Sequence, residues 1–286
     1  MNVLRIAISA ELTRPITLPP FAASMVRGVL GKALMHKYCA CHLKVYGGHA
    51  PHCLYQLLFE GAPASAATLG CHLQTPPPPF TLKVFAQAPN LMRIEVCLFG
   101  IATQHVELWL DALMLGLSAG IGAQQVPVAI RKINFLELPI GTLPAQLTLR
   151  LQSPMLIKHQ SKPLQPVQLS GEILFTALAR RMALMETLYQ IGAPEVNFDR
   201  LKLAARSVGL QHNCQPINWA RYSNRQQQKM PLSGMMGDIT LTLPADLQDL
   251  LAPPLFWGQW LHVGGKAALG QGAYELITDN TKRTAA

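Results

Sequence analysis

Two stretches of this 286-residue chain concentrate residue types that could do chemistry. The first is His262-Val263-Gly264-Gly265-Lys266-Ala267-Ala268-Leu269-Gly270-Gln271-Gly272, with four glycines and one lysine between 264 and 272. Glycine gathers where a backbone must take positive φ or come very close to something. Successive N–H groups in such a loop form a concave anion site, and Lys266 adds a full charge. The loop therefore reads as one that lies on a phosphate backbone, against the plainer reading of a Gly-rich hairpin connection without a ligand. It is not G-x-x-x-x-G-K-[ST], because Lys266 precedes the spacer, and too few residues follow for the helix of a Rossmann fingerprint. The second stretch is Cys39 to Cys53, which holds Cys39, Cys41, His42, His49, His52 and Cys53. Cys39, Cys41, His49, His52 and Cys53 could supply four ligands to a structural zinc. The C-x-C spacing is tighter than usual and the loop is short. Buried or incidental thiols are the reading adopted, with no metal or cofactor expected. Any zinc there would hold the loop and take no part in catalysis.

Composition narrows the partners. Half of the residues are hydrophobic and 14% are charged, which describes a globular chain. Lys plus Arg number 24 against 15 Asp plus Glu, a net charge of +9. An excess that large among so few charges points to a polyanionic partner. A membrane surface is the competing explanation, but no run of about eighteen apolar residues is present to span a bilayer. The N-terminus lacks a basic region followed by an apolar stretch and a small-residue cleavage site, so no export signal is expected. The six cysteines, at 39, 41, 53, 71, 97 and 214, do not form a disulfide framework for a chain of this length, and a cytoplasmic location is expected.

The elements that must position these residues follow in chain order. Val3 to Ser9 is β-branched and alternating, a strand. Phe21 to Tyr38 reads as a helix, with Met25, Val29 and Ala33 at helical spacing and Arg27, Lys32, His36 and Lys37 on its polar face. Gly28 and Gly31 each cost roughly 1 kcal/mol there against Ala, which suggests that they admit another backbone. Leu54 to Glu60 is a short apolar element. Residues 61–79 are small and end in four prolines, an extended linker. Phe80–Ala86 and Met92–Ile101 pair around Ala88-Pro89-Asn90, Gln104–Ile121 is an amphipathic helix, and Val126–Leu138 is a strand. That order, β-α-β-β-α-β, is ferredoxin-like.

A second pass begins with a strand-like run from Gln146 to Ile157. A helix over Leu169–Ile191 carries Arg180 and Arg181. Pro216–Ser223 and Asp238–Leu243 read as strands, and Pro244–Trp260 as a short helix and a Pro-Pro break. The Gly-rich loop and a strand over Ala273–Ile277 close the pass, with a frayed tail from Thr278. The expected fold is α+β, two tandem ferredoxin-like (RRM-like) domains. Residues 1–140 hold the inserted Cys/His-rich loop 39–60, and residues 141–286 hold the Gly-rich loop 263–272.

Three stretches together carry a resemblance. They are the Gly-rich loop itself; Trp219-Ala220-Arg221-Tyr222-Ser223-Asn224-Arg225-Gln226 running on through Met230 to Ser233-Gly234-Met235-Met236-Gly237; and Arg27-Gly28-Val29-Leu30-Gly31 with the later Cys53-Leu54-Tyr55 and Leu58-Phe59-Glu60. In that order the chain resembles a CRISPR-associated endoribonuclease that cuts precursor CRISPR RNA within its repeats, of the repeat-associated RAMP superfamily. The resemblance is strong over 217–277 and weaker before residue 60. It implies tandem ferredoxin-like domains and binding of a repeat hairpin. It also implies a metal-independent cut that leaves a 5′-hydroxyl and a 2′,3′-cyclic phosphate. Members often stay on the product as a subunit of an effector complex with other CRISPR proteins. A subunit that caps the hairpin without cutting is the alternative.

Metal-free RNA cleavage uses the substrate's own 2′-hydroxyl as nucleophile. Histidine suits the proton transfers near neutral pH, and Lys or Arg the developing charge. In the family the base is often a histidine at or just after the first helix. That implies His36, with Lys37 and Tyr38 beside it, His42 as second choice, and Arg27 where arginine replaces histidine. Arg221, Arg225 and Lys229 would contact phosphates, sharing a face if the stretch were helical, and a solvated basic edge is the plainer reading. Arg180 and Arg181 could grip the major-groove phosphates of an A-form stem, where shape dominates over base readout, or form an ordinary exposed face. In the loop, the RNA-contacting residues implied are Gly264, Gly265, Lys266, Gly270 and Gly272.

Overall fold

The computed structural model of the chain describes residues 2–39, 41, 49–50, 52–61, 76–138, 142–223 and 228–278, with backbone alone over 221–223 and 228–231. His42, Cys71 and Arg225 lie outside the described residues. The chain forms two compact units. The first is Met1–Leu138 with Met185–Gly192 and Ala268–Gly270, and the second is Pro139–Leu184, Ala193–Ala267 and Gln271–Ala286.

In the first unit, β1 (Val3–Leu12), α1 (Ala23–Tyr38), β2 (Phe80–Ala88), β3 (Leu91–Phe99), α2 (Val106–Ser118) and β4 (Val128–Leu136) follow in turn. The sheet order is β2-β3-β1-β4 and every pairing is antiparallel, with Ile6 opposite Val96 on one side and Phe135 on the other. β1 alternates as its sequence demands. Ile6, Ile8, Ala10 and Leu12 enter the core, where Val26, Leu30 and Leu34 of α1 and Trp109, Ala112 and Leu113 of α2 meet them. Each such large side chain, fully buried, contributes roughly 1.5–3 kcal/mol. The core fixes the rotation of α1 and so the direction in which its polar residues point.

The second unit repeats the order with insertions. β5 (Gln146–Leu151), α3 (Gly171–Tyr189), α4 (Phe198–Arg206), β6 (Gly209–His212), β11 (Asp238–Thr242), α5 (Gln248–Leu261) and β12 (Tyr274–Ile277) give an antiparallel sheet ordered β12-β5-β11-β6. Leu147, Leu149, Ile239, Leu241, Tyr274 and Leu276 face Leu174, Phe175 and Leu178 of α3 and Leu251 and Leu255 of α5. Between β6 and β11 lie four short strands, β7 (Gln215–Ile217), β8 (Ala220–Ser223), β9 (Gln228–Pro231) and β10 (Gly234–Met236), paired β7 with β10 and β8 with β9.

The α+β tandem ferredoxin-like architecture is therefore the one expected, and four details differ. The second strand of the second unit is Gly209–His212, not Pro216–Ser223, which is instead broken into the ends of two inserted hairpins. Helix α4 was not anticipated. It is only nine residues long, but Leu201, Ala204 and Ala205 are all buried, and Asn197 caps its start by accepting from the N–H of Arg200 at 3.0 Å. Residues 221 and 229 lie on facing strands of a hairpin, Arg221 opposite Met230 and Tyr222 opposite Lys229, so they share no helical face. Finally, α5 runs unbroken through Pro253 and Pro254. Each interior proline costs roughly 3 kcal/mol or more, and burial of Leu251, Pro254, Leu255, Trp257 and Leu261 on one side offsets it.

Candidate functional site

The last turn of α1 carries His36, Lys37 and Tyr38. Because Leu30, Ala33 and Leu34 are locked into the core, His36 and Lys37 are exposed. Lys37 Nζ lies 2.7 Å from Asp111 Oδ2 of α2, and the Tyr38 hydroxyl donates to the same oxygen at 2.5 Å. The Lys37 bond, then the Tyr38 bond, holds the Asp111 carboxyl below its usual range. In return the Asp111 bond raises both Lys37 and Tyr38. The turn therefore presents a tied acid–cation–phenol group with an imidazole exposed beside it.

Arg27 does not join them. It stands nine residues before His36, which on an α-helix is about 180° around and about 13 Å along. Its guanidinium sits over the Phe59 ring, 4.2 Å from the centroid. Gly31 makes room for that ring, since a Cβ there would fall 2.3 Å from Phe59 Cζ. So Gly31 admits a side chain instead of a backbone, while Gly28 has nothing within 4 Å. From Phe59 a run of ring contacts leads one way through Phe80 to Trp109 and the other through Tyr55 to His49, with centroids 5.0 to 5.9 Å apart.

His49 belongs to a cluster that the loop spacing only suggested. The ligating atoms of Cys39, Cys41, His49 and Cys53 all lie within 4.8 Å of one another. His52, though next to Cys53 in sequence, is exposed and outside the group.

Apart from Ala268–Gly270, the Gly-rich loop belongs to the second unit, and there it is built against its own neighbours. Gly264 and Gly272 have φ of +81° and +72°, and a Cβ on them would fall 2.3 Å from the Leu156 carbonyl oxygen and 1.9 Å from that of Val263. The N–H of Gly265 donates to Leu156 at 2.7 Å and that of Gly272 to Pro154 at 2.9 Å. His262 and Gln271 are buried, and the Gln271 amide donates to the carbonyl of Leu232 at 2.6 Å. The glycines thus shape the loop, and two of its N–H groups are committed inside the fold. What the loop exposes is the corner Gly265–Lys266.

That corner has a companion which sequence reasoning missed. The chain leaving Leu156 forms a hairpin, Lys158–His159 paired with Lys162–Pro163, all four exposed. Its two-residue turn, Gln160 and Ser161, has φ of +49° and +65°, the signature of a type I′ turn. The Gly265–Leu156 bond ties Lys266 to the base of this hairpin. The signal was present as Lys-His-Gln-Ser-Lys just past the strand-like run Gln146–Ile157, but the Asn-Gly that usually marks such a turn is absent.

The remaining expected contacts divide. Arg180 is exposed. Arg181 donates from Nε to the Leu261 carbonyl at 3.1 Å, at the last residue of α5, where helix carbonyls lack intrahelical partners. Arg221 and Lys229 belong to the β8–β9 hairpin.

Residues 149–274 match the family model described as CRISPR-associated endoribonuclease Cas6, and residues 1–150 match a model described as an N-terminal domain. No curated protein matches the chain by sequence. Among solved structures, the product complex of Thermus thermophilus Cas6 is similar at 12% identity and a TM-score of 0.61, covering 96% of this chain and 99% of that one. A RAMP protein binding different RNA substrates is similar at 11% identity and 0.51, covering 96% and 100%. A partial Cas6-RT-Cas1–Cas2 complex is similar at 13% and 0.58, covering 96% of this chain and 46% of that one.

Proposed function

We propose that this chain is a Cas6-type CRISPR-associated protein of the RAMP superfamily, and that it binds the hairpin of a CRISPR repeat and cuts precursor CRISPR RNA by a metal-independent transesterification. The observation that carries the proposal is the exposed imidazole of His36 at the end of α1 beside Lys37 and Tyr38. Proton-transfer and cationic groups stand together there, as attack by a 2′-hydroxyl requires.

His36 removes the proton from the 2′-hydroxyl, whose oxygen attacks the adjacent phosphorus. Lys37 meets the charge that develops on the phosphoryl oxygens. An ammonium has three N–H groups, and Asp111 takes one. The P–O5′ bond breaks, the departing oxygen takes a proton from the imidazolium or water, and the products are a 2′,3′-cyclic phosphate and a 5′-hydroxyl. Tyr38 is a positioning residue, since its hydroxyl is engaged with Asp111. Lys266, Lys158 and Lys162, with Arg180 and the β8–β9 hairpin bearing Arg221 and Lys229, hold the phosphate backbone of the stem. The product then stays bound as the 3′ hairpin handle, available to other CRISPR subunits.

One observation favours the second reading, a subunit that caps the hairpin without cutting: Lys37 and Tyr38 are both tied to one carboxylate oxygen. Incubation of the protein with its host's repeat RNA in EDTA, with the product ends mapped, separates the two. A single cut leaving a cyclic phosphate is expected. Tight, salt-sensitive binding without a cut supports the capping subunit, and a cut that needs Mg²⁺ and leaves a 3′-hydroxyl sinks the proposed chemistry.

A further inference from the structure

We infer that Cys39, Cys41, His49 and Cys53 form a structural zinc site in the first unit. The observation is geometric. Cys39 Sγ and Cys53 Sγ are 3.7 Å apart, and His49 Nδ1 is 3.4 Å from the first and 3.6 Å from the second. Zn–S bonds of about 2.3 Å and Zn–N bonds of about 2.0–2.1 Å in a regular tetrahedron give S···S edges of about 3.8 Å and S···N edges of about 3.5 Å. The three measured separations are therefore the edges expected around one ion, and Cys41 supplies the fourth corner within 4.8 Å of the others. Three thiols and an imidazole have little reason to converge for packing or hydrogen bonding alone, since the thiol is a weak donor and acceptor. A soft Cys₃His set selects zinc over the hard cations.

The surroundings are those of a ligand shell. The Ala50 N–H donates to Cys41 Sγ at 3.2 Å, the outer bond that orients a metal-binding thiolate. Cys53 is buried, while Cys39 and Cys41 are half-buried, so the ion would be shielded on one side. Its place in the fold says what it does. Cys39 is the residue that caps α1, three after His36, and Cys53 precedes the π-helical turn Gln56–Glu60, whose Phe59 lodges against Gly31. A single ion would pin the end of the helix that bears His36, Lys37 and Tyr38 to the aromatic run that anchors in the core. All four corners are filled by protein, so the ion has no open position for substrate and is structural. This inference does not rest on the RNA-cutting reading.

The test is elemental analysis of the wild-type chain purified under reducing conditions without chelator. One zinc per chain is expected, and the cobalt(II)-substituted protein should show the visible ligand-field and thiolate charge-transfer bands of a tetrahedral sulfur-rich site. Removing the zinc should lower the Tm of the wild-type chain and adding zinc(II) should restore it, a measurement that needs no variant to fold. Cys39→Ser and His49→Ala should lose the metal, whereas His52→Ala should keep it. A wild-type chain that carries no zinc and takes up no cobalt(II) overturns the site. So does a Cys39–Cys53 disulfide, two hydrogens lighter by intact mass, as the stable form in reducing buffer, or a His52→Ala variant that loses the metal as fully as His49→Ala.

Discussion

The two units share one strand order and spend their extra residues in different places. In the first, the long connection follows α1, and it carries the Cys/His cluster and the π-helical turn. In the second, the additions follow β5, β6 and α5, as the Lys158–Pro163 hairpin, the four strands β7 to β10 and the Gly-rich loop. The sheets themselves have little to distinguish them: antiparallel strands, one apolar face, two principal helices. What differs is which connection was elaborated and with which residue types. On the proposed reading the first unit offers an imidazole to move protons, with Lys37 and Tyr38 held by Asp111 beside it, and the second offers lysines on exposed corners to hold phosphates. The two sets of residues are grafted on different units of a shared frame, and on that reading cutting should be separable from holding.

The largest expected effect tests that separation from the first unit. His36→Ala removes the proposed base and should reduce the cleavage rate by about 10²–10⁴-fold, the usual worth of a positioned general base. Affinity for the uncut repeat should remain within a factor of two or so of wild type, because one exposed imidazole contributes little to phosphate binding. Single-turnover cleavage with a parallel binding isotherm measures both. Equal losses in rate and affinity would show that holding is not confined to the second unit. An unchanged rate would remove His36 from the site.

How much of this could be read from sequence differs between the units for physical reasons. The first unit was legible almost element by element, since β1 alternates Ile6, Ile8, Ala10 and Leu12 at period two and α1 shows helical spacing, although of the row chosen from sequence, Met25, Val29 and Ala33, the first two only border the buried face, which is Val26, Leu30, Ala33 and Leu34. The second was legible at its ends and obscure in its middle. β6 is four residues long, too short to show a period, and α5 hides two prolines that local rules count against it. The glycines of 264–272 stand out in the sequence, but their types alone could not separate close self-packing from ligand approach. Only the distances to Leu156 and Val263 do that. Likewise the spacing of Cys39, Cys41, His49 and Cys53 is irregular along the chain, and their convergence is a property of the folded loop.

A middle-sized effect approaches the comparison from the second unit. Replacing Lys158, Lys162 and Lys266 together by Ala removes three exposed cations. If each meets a phosphate, the slope of log affinity against log salt should fall by about 2–3, and affinity near physiological salt should drop by tens-fold. Cleavage at saturating protein should keep its rate, since none of the three belongs to the proton-transfer group. A salt slope that stays put would mean that these lysines do not touch the RNA, and would move the burden of holding to Arg180 and the β8–β9 hairpin. A lost rate at saturation would instead show that the hairpin positions the cleaved phosphate.

The smallest effect concerns Asp111, where the division between moving protons and holding phosphates is least sharp. Its carboxylate both orients Tyr38 and draws off part of the charge of Lys37. The Asp111 carboxyl titrates below its ordinary value in the folded chain, held there first by the Lys37 bond. Its contribution to stability is therefore present above the usual carboxylate value of about 4 and lost as pH falls through the lower, folded value. Lys37 is raised by the same bond, so its share is present below the usual lysine value of about 10.4 and lost as pH rises through the higher, folded one. Both groups are exposed to solvent, which screens the pair and keeps its worth small. Asp111→Asn should accordingly lower Tm slightly at neutral pH, with the difference from wild type vanishing in acid below the folded carboxyl value. It should also free Lys37 for RNA and steepen the salt slope by at most about one unit, while loosening Tyr38 and slowing the cut. A variant that binds no differently yet cuts more slowly would confine Asp111 to positioning. One that binds more tightly and cuts as fast would show that the first unit also holds the backbone, with Asp111 as the brake on it.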